Sequence, residues 1–475
     1  MSFSDVFLAV IIIGLLLIAG KSIRDRVEVF RRLFIPSSVV AGCLGLLLGP
    51  GVLGKLSLLV LGDGNPLAGG IFPPGVLKVW QEIPGLLISV VFAGLFLGRR
   101  IPGIRDIWYK AGPQVAFGQA VAWGQYLVGT LCVLVLLGPV FGTNPAAAAL
   151  IEIAYEGGHG TAAGLSSTFE VFGFPEGADL AMALATIGLV SGVAVGTILI
   201  NWAARTGRIT QEHPVEQAEE VIAGLGELEE VEPAPVDTAP PEVTIDGLTL
   251  NIGYVGLAVA IGWLILKGLI LLEGLFLGKS GTGGLMQFVP LFPLAMIGGI
   301  LMQMCLDRAG RTAMVDRHLV NHVSGTSLDL IIIAALSTIS LAAIGENIWP
   351  FLILAVLGLA WNVGALIYIA PRVFPVYWFE RAIGDFGQST GMTVTGLLLM
   401  RICDPENRSG AIESFGYKQL LCEPFVGGGL VTAAAIPVIY RVGTFPVMLV
   451  ALVLCIGWVL FGVFTFGSRR KKQFP

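Results

Sequence analysis

The stretch YEGGHGTAAG, residues 155–164, combines four glycines with a glutamate and one of the four histidines of the chain. Long apolar segments precede and follow it, so a polar, glycine-rich stretch lies among candidate membrane helices. Non-helical backbone survives inside a bilayer only where protein or a water-filled cavity covers it, because polar backbone groups that face lipid are costly. The stretch therefore predicts a turn at membrane depth, where glycine lets the backbone approach a ligand closely.

The composition extends this prediction to the whole chain. Of the 475 residues, 55% are hydrophobic and only 13% are charged, and the mean hydropathy is +0.84. Several apolar runs approach the roughly 20 residues that cross a bilayer as one helix. We predict an all-α integral membrane protein with about 11 transmembrane helices, at residues 6–20, 33–50, 83–98, 113–138, 178–204, 248–266, 285–306, 319–343, 348–370, 414–440 and 444–467.

Two further stretches, 144–172 and 380–402, are interpreted as re-entrant hairpins that enter and leave the membrane by the same face. From Asn144 to Glu156 a helix would extend about 18 Å, which is only part of a hydrocarbon core of about 30 Å. With both hairpins in place, most of the 28 Lys and Arg fall on the cytoplasmic side, as expected for a membrane protein. The exceptions are Lys55, Lys78, Lys267, Lys279 and Arg441.

The same bias predicts the orientation of the chain. The first apolar run is followed by a cluster of basic residues and has no small-residue cleavage site, which indicates a membrane span with the N-terminus outside. The C-terminal sequence SRRKKQFP is then cytoplasmic. Residues 209–246 contain 11 acidic residues and no Lys or Arg, and we expect them to form an acidic, disordered cytoplasmic linker.

An internal repeat connects the two predicted hairpins. The spacing G-x-x-G-x-x-x-G occurs at Gly157, Gly160 and Gly164, and it recurs in GDFGQSTG, residues 384–391. The chain then divides into two inverted five-span repeats, at 1–208 and 247–441, followed by an extra span and basic tail at 442–475. Inverted repeats with broken segments are typical of secondary transporters. The alternative is that the glycines only pack helices together.

The two hairpin loops supply the candidate substrate-binding residues. Amides at the N-termini of half-helices attract carboxylates, and free carbonyls coordinate Na⁺. The candidates are Gly157, Gly158, His159, Gly160 and Thr161 in the first loop, and Gly387, Gln388, Ser389 and Thr390 in the second.

Three acidic residues are the candidate Na⁺ ligands: Asp329, Asp385 and Glu156. Intramembrane carboxylates usually mark ion or proton sites because an ionised acid is costly there. Asp329 could instead be an internally hydrogen-bonded core acid. Glu156 and its neighbour Glu152 could each be a pore-facing carboxylate or a capping group. No cofactor is expected, and no metal ion other than Na⁺.

Two other pairs of charged or polar residues receive structural interpretations. Lys418 and Glu423 lie near the cytoplasmic end of the tenth span, and we interpret them as an ion pair or as snorkelling side chains. His318 and His322 have a spacing that suits a metal ion, but no HExxH motif and no nearby cysteine accompanies them.

The segments FIPSSVVAGCLGLLLG (34–49), EGGHGTAAGLSSTFEVFGF (156–174), ALATIGLVSG (183–192) and SLDLIIIAAL (327–336) resemble the bacterial sodium/glutamate symporter (ESS) family. The resemblance implies two inverted domains with re-entrant loops and Na⁺-coupled uptake of L-glutamate through the bacterial plasma membrane. It also implies a homodimer with an elevator-like movement. GDFGQSTG departs from the family in carrying an acid in its loop.

Other functions remain open on the sequence alone. Symport of another small anion, such as a dicarboxylate or bicarbonate, would use the same kinds of residue. A channel is the alternative from another class, because hairpin loops also build selectivity filters. An enzyme is not expected, since the chain has no HExxH motif and no convincing nucleophile–base pair. The expected partners are a small carboxylate and the lipid bilayer, and no nucleic acid.

Overall fold

The computed structural model describes residues 2–62, 64–99, 104–209, 245–276 and 286–467. Helices make up most of these ranges, and no strand occurs in them. The predicted linker at 209–246 falls almost entirely outside the described residues, and so does the basic tail from residue 468 onward.

The described helices of the first half precede the linker. They are α1 (Phe3–Arg26), α2 (Glu28–Arg32), α3 (Ser37–Leu48), α4 (Lys55–Leu61), α5 (Pro74–Gly94), α6 (Ile104–Cys132), α7 (Gly138–Phe141), α8 (Gly158–Gly164), α9 (Ser166–Val171) and α10 (Glu176–Arg205). Between α7 and α8 the chain forms a 3₁₀ helix at Pro145–Ala149 and a π-helical turn at Glu152–Glu156.

The described helices of the second half follow the linker. They are α11 (Ile245–Phe276), α12 (Leu291–Arg308), α13 (Arg317–Ser337), α14 (Leu341–Glu346), α15 (Ile348–Gly364), α16 (Ala370–Val373), α17 (Trp378–Gln388), α18 (Thr393–Cys403), α19 (Ala411–Cys422), α20 (Leu430–Val442) and α21 (Thr444–Thr465).

Local capping explains where some of these helices begin. Ser2 and Asp5 form a capping box at the start of α1: the Ser2 hydroxyl accepts the Asp5 amide at 3.2 Å, and the Asp5 carboxylate accepts the Ser2 amide at 2.8 Å. Asp316 caps α13 by accepting the amide of His318 at 2.9 Å. Each cap satisfies backbone donors that have no partner within the helix.

Ten helical segments in the described ranges are long and apolar enough to cross a membrane. They correspond to every predicted span except the tenth, so the all-helical membrane fold is confirmed. The prediction of one continuous tenth span at 414–440 is wrong. That region consists of α19 and α20, separated by a break at 423–429. The break arises because Gly427 and Gly428 have φ of +77° and +109°, which a right-handed helix does not allow.

The packing of the helices divides them into two groups. The first group contains the spans α1, α3, α5, α11, α12 and α13, which pack mainly on one another. The second group contains α6, α10, α15 and the helices from α17 to α21. The short helix α8 lies between the groups, since it packs on α10 of the second group and on α5 and α13 of the first. The chain before the linker and the chain after it therefore contribute three spans each to the first group.

Two short helices, α17 and α18, pack tightly side by side. A Cβ atom on Gly387 would lie 2.7 Å from the Cα atom of Gly396, so the backbones approach too closely for larger residues. Each helix has 11 residues, which corresponds to about 16 Å, roughly half of the hydrocarbon thickness. Neither helix is therefore long enough to cross the membrane alone, and the turn Ser389–Met392 joins them.

Candidate functional site

Three interruptions of helical structure meet in the interior of the protein. The first is at Gly157–Gly158, the second at Ser389–Gly391 and the third at Gly427–Gly429. Gly158 has φ of +70°, and a Cβ atom added to it would lie 3.5 Å from the carbonyl oxygen of Gly391. A Cβ atom on Gly428 would lie 2.6 Å from the hydroxyl oxygen of Thr161. The first turn therefore contacts both of the others.

A buried lysine lies beside this junction. The Lys418 side chain is 1% exposed, and its Nζ atom lies 3.2 Å from Oδ1 of Asp385 and 3.8 Å from Oε1 of Glu156. It also donates a hydrogen bond of 2.8 Å to Oε1 of Gln388. These three oxygens, which we call the oxygen cage, come from both halves of the chain. Removing one partner from such a buried ion pair is strongly destabilising, because it leaves an uncompensated charge.

Helix α6 supports the cage from one side. Nε2 of Gln114 donates to Oδ2 of Asp385 at 2.5 Å and to the carbonyl oxygen of Arg381 at 2.9 Å. Gly118, one turn further along, has no side chain, and a Cβ atom there would lie 3.1 Å from Nζ of Lys418. A larger residue at 118 would therefore occupy the space that the ammonium group uses.

A second buried carboxylate lies next to the third break. Glu152 accepts hydrogen bonds from the hydroxyl of Tyr126 at 2.6 Å, from the hydroxyl of Thr432 at 2.7 Å and from the amide of Gly427 at 3.0 Å. Both of its carboxylate oxygens are thus satisfied by protein groups, which is how proteins make a buried polar group tolerable. Glu152 connects the π-helical turn of the first half to the break between α19 and α20.

Two amide side chains hold the second turn. The carbonyl oxygen of Ser389 accepts hydrogen bonds from Gln125 on α6 at 2.6 Å and from Asn362 on α15 at 2.5 Å. Asn362 also donates to the hydroxyl of Thr390 at 3.0 Å. The turn is therefore fixed by one residue from the fourth span and one from the ninth.

Several buried polar atoms around the junction have no hydrogen-bond partner among the described residues. They are Oε2 of Glu156, Oγ1 of Thr161, Oγ of Ser389 and Nδ1 of His159. Most buried polar groups in proteins are paired, so such orphan atoms require an explanation. Here they are mostly hard oxygens near a carboxylate cluster, which is the donor set that a small cation or the polar groups of a small substrate would use.

The predicted site residues fall into different settings. Glu156, Asp385 and Gln388 come together around Lys418, and Ser389 and Thr390 form the second turn.

Three other predicted residues contact different neighbours. His159 is bonded through Nε2 to the hydroxyl of Thr186 on α10 at 3.0 Å. Gly160 faces α5 and α13, since a Cβ atom there would lie 3.2 Å from Ile88 and from Leu328. Asp329 is half-buried on α13, next to that contact.

The structural interpretation of Lys418 is wrong. The prediction paired it with Glu423 or placed its charge at the membrane surface. Its ammonium group instead lies inside the protein, where it forms an ion pair of 3.2 Å with the carboxylate of Asp385. Glu423 accepts a hydrogen bond of 3.0 Å from Gln419. His318 and His322 do approach each other, at 3.3 Å, but no group of three potential metal ligands occurs in the described ranges.

Sequence reasoning missed the role of two features, Lys418 and the third break. A signal existed for both of them. Lys418 is the basic residue within the predicted tenth span, and the run Gly427–Gly429 interrupts the same span. An intramembrane charge and a glycine run at membrane depth both indicate a functional site. Gln114 hydrogen-bonds between helices, as amide side chains in membrane spans commonly do.

A family described as Sodium/glutamate symporter matches residues 115–374, which is more than half of the chain. The match includes the first turn, Glu152 and Glu156, and it ends before α17. No curated protein matches the chain.

Proposed function

The chain belongs to the sodium/glutamate symporter family, and we propose that it couples the entry of Na⁺ to the uptake of L-glutamate through a bacterial plasma membrane. One observation supports this most directly. Three breaks in helical structure meet around buried carboxylates in a protein built of membrane helices. Secondary transporters place substrate and ion at such breaks, because the free amides and carbonyls there serve as ligands.

Asp385 and Glu156 are our proposed Na⁺ ligands. Their carboxylates approach the same ammonium group, at 3.2 Å and 3.8 Å, so they lie close enough to share one small cation. Oε2 of Glu156 has no partner among the described residues and is available to an added ion. Asp329 is also a proposed ligand. It lies on α13, next to the contact between α8 and the first helix group, and not beside Lys418 as Asp385 and Glu156 do.

The proposed substrate site lies at the junction of the turns. The hydroxyls of Thr161 and Ser389 are buried and have no partner among the described residues, and the backbone of Gly157–Gly158 is adjacent. The two hydroxyls can donate hydrogen bonds to a bound amino acid and accept hydrogen bonds from it. Backbone amides can bind its carboxylates even where no arginine is present. The proposed set further includes Gly160, Gly387, His159, Gln388 and Thr390.

We further propose that the two helix groups move against each other as in an elevator. The second group carries most of the polar junction, while the first group supplies the apolar surface of α5 and α13 against which α8 rests. Gly160 and Gly164 on α8 give this contact a smooth face, which suits sliding better than interlocking side chains. We also propose that the protein forms a homodimer in which the first helix group is the static scaffold.

The re-entrant topology is part of the same proposal. The Asn144 side chain donates to the carbonyl oxygen of Gly173 at 3.3 Å, so the two ends of the first predicted hairpin lie together. Helices α17 and α18 are too short to cross the membrane singly and pack side by side. Both observations support entry and exit by the same face.

Cysteine labelling tests that topology. Single cysteines at 161 and 389, in a background without the six native cysteines, are treated with impermeant thiol reagents from each side of the membrane. Turns that enter from opposite sides should differ in their accessible side, and both should respond to Na⁺ and glutamate. Free labelling of both positions from one side, whatever the ligand, would contradict the inverted repeat.

Uptake of labelled glutamate into liposomes tests the function itself. Purified protein should accumulate glutamate when Na⁺ is high outside, and much less when choline replaces Na⁺. Competition by unlabelled dicarboxylates and bicarbonate shows whether another small anion is the better substrate. Ion current without saturable glutamate uptake would instead support a channel.

A further inference from the structure

We propose that the ammonium group of Lys418 is a built-in substitute for Na⁺. It fills the oxygen cage of Asp385, Glu156 and Gln388 in the empty carrier, and it leaves the cage when Na⁺ binds. The inference rests on the proposed Na⁺-coupled symport, and it assigns to Lys418 a specific step of that cycle.

The surroundings of Lys418 carry the argument. An ammonium group has three hydrogens to donate, and three protein oxygens from Asp385, Glu156 and Gln388 lie within 3.8 Å of Nζ. In this state the ammonium group therefore interacts with protein oxygens and not with a substrate carboxylate. Carboxylate and amide oxygens are also the ligands that suit Na⁺, so the lysine and the ion favour the same place.

Na⁺ and the ammonium group of Lys418 would repel each other if both were in the oxygen cage. Two positive charges a few ångströms apart repel each other strongly where water is excluded. Na⁺ binding should therefore displace the ammonium group along its flexible stem. The lysine lies on α19, only a few residues before the break at 423–429, so its helix ends close to the glycine-rich segment.

Displacement of this kind explains how an empty carrier returns. A symporter that has released Na⁺ must move back with its Na⁺ ligands vacant, and bare carboxylates at membrane depth are costly. A tethered ammonium group compensates Asp385 and Glu156 during that step. Without it, the loaded carrier would still move, but the return of the empty carrier would be slow.

The test separates the two steps with the variant Lys418→Met, which keeps most of the side-chain length and removes the charge. Net uptake driven by a Na⁺ gradient requires the empty return, whereas glutamate exchange with Na⁺ on both sides does not. We expect net uptake to fall at least about tenfold more than exchange, because Na⁺ present on both sides compensates Asp385 and Glu156 when the lysine charge is missing. The Na⁺ concentration for half-maximal exchange should fall about tenfold, because a competing cation is gone. Lys21→Met, at an exposed position on α1, is the matched control.

The outcomes are distinct. Equal loss of exchange and net uptake, or an unchanged Na⁺ dependence of exchange, overturns the inference and leaves Lys418 as a structural or substrate-binding group. If the wild-type protein shows no Na⁺-dependent uptake at all, the proposed function itself fails.

A second measurement uses only the wild-type protein, so that misfolding of the variant cannot decide the matter. A small amine-reactive reagent is added in NaCl or in choline chloride, and acylation of Lys418 is followed by mass spectrometry with Lys21 as internal reference. Displacement by Na⁺ should raise the labelling of Lys418 severalfold. Equal labelling in both salts would overturn the inference.

Discussion

Thr432 and Glu152 are 280 residues apart in the sequence, yet the threonine hydroxyl donates a 2.7 Å hydrogen bond to the glutamate carboxylate. The same oxygen accepts the amide of Gly427, and the other oxygen accepts the hydroxyl of Tyr126. Glu152 is thus surrounded by donors from α6, from α20 and from the third break. Glu152 therefore links the first half of the chain to the break between α19 and α20 in the second half.

We expect Glu152→Gln to destabilise the protein and to reduce transport. Glutamine offers one acceptor oxygen where three donors converge, and its own NH₂ group would face at least one of them. An unsatisfied buried donor costs about 1–3 kcal/mol. The measurements are the melting temperature in detergent and the maximal rate of glutamate uptake. Glu170→Gln, at an exposed position on α9, is the control. A melting temperature equal to wild type would show that Glu152 does not hold the break.

The charges of Asp385 and Glu156 should control the Na⁺ dependence. Asp385→Asn keeps the size of the side chain and removes the charge that a cation would neutralise. We expect the Na⁺ concentration for half-maximal uptake to rise about tenfold or more, which corresponds to roughly 1.4 kcal/mol. Glu156→Gln should act in the same direction. Asp329→Asn should do so only if Asp329 is a direct ligand, and wild-type Na⁺ dependence in all three variants would place the ion on carbonyls and hydroxyls alone.

The sequence predicted the membrane fold well because hydropathy and charge bias are properties of whole segments. Each long span needs a run of apolar residues, and the structure has one long helix at each such run apart from the tenth, which is divided into α19 and α20. The prediction of a continuous tenth span was wrong because mean hydropathy carries no information about backbone conformation. Residues 427–429 are glycines in an apolar segment, so the segment looks continuous although positive φ angles at two of them end the helix.

The candidate site was predicted only in part, for a different physical reason. The hairpin loops carry local signals in their glycine spacing, and Asp385 carries one as an intramembrane acid. The partners of these residues depend on contacts between distant segments. Nothing local in the sequence brings Lys418 to Asp385 and Glu156, or Gln125 to the carbonyl of Ser389.

Gly160→Val should block transport without changing the Na⁺ dependence of any remaining activity. The added side chain would collide with Ile88 on α5 and Leu328 on α13, since even a Cβ atom lies 3.2 Å from both. The substitution alters the contact between the helix groups and removes no charge. Gly416→Val serves as control, because a Cβ atom at 416 meets no atom within 4 Å. A shifted Na⁺ dependence in Gly160→Val would place this residue at the ion site instead.

Deletion of residues 212–242 should leave transport nearly intact. The segment lies outside the described residues, and the prediction rests on its acidic composition, which gives it little apolar surface to bury. Replacement by a short Gly/Ser linker should keep the half-saturating glutamate concentration within a few-fold of wild type. Complete loss of uptake, with normal amounts of protein in the membrane, would indicate a regulatory contact made by this segment.

The last prediction concerns the carbonyl oxygen of Ser389, which accepts hydrogen bonds from both Gln125 and Asn362. Gln125→Met and Asn362→Leu each remove one donor at similar volume, and we expect each to weaken glutamate binding roughly tenfold, or about 1.4 kcal/mol. Gln119→Met is the control on the same helix, because Gln119 accepts its hydrogen bond from Trp123, also on α6.

The double variant should lose more than the sum of the two single losses. After one substitution the carbonyl keeps one donor, but after both it is buried without either of them. Residues that share a partner typically show coupling of about 0.5–3 kcal/mol. Glutamate binding to the four proteins of this cycle, measured by titration at saturating Na⁺, gives the coupling directly. Strict additivity would mean that the second turn is held by other contacts and that the two amides act on the substrate separately.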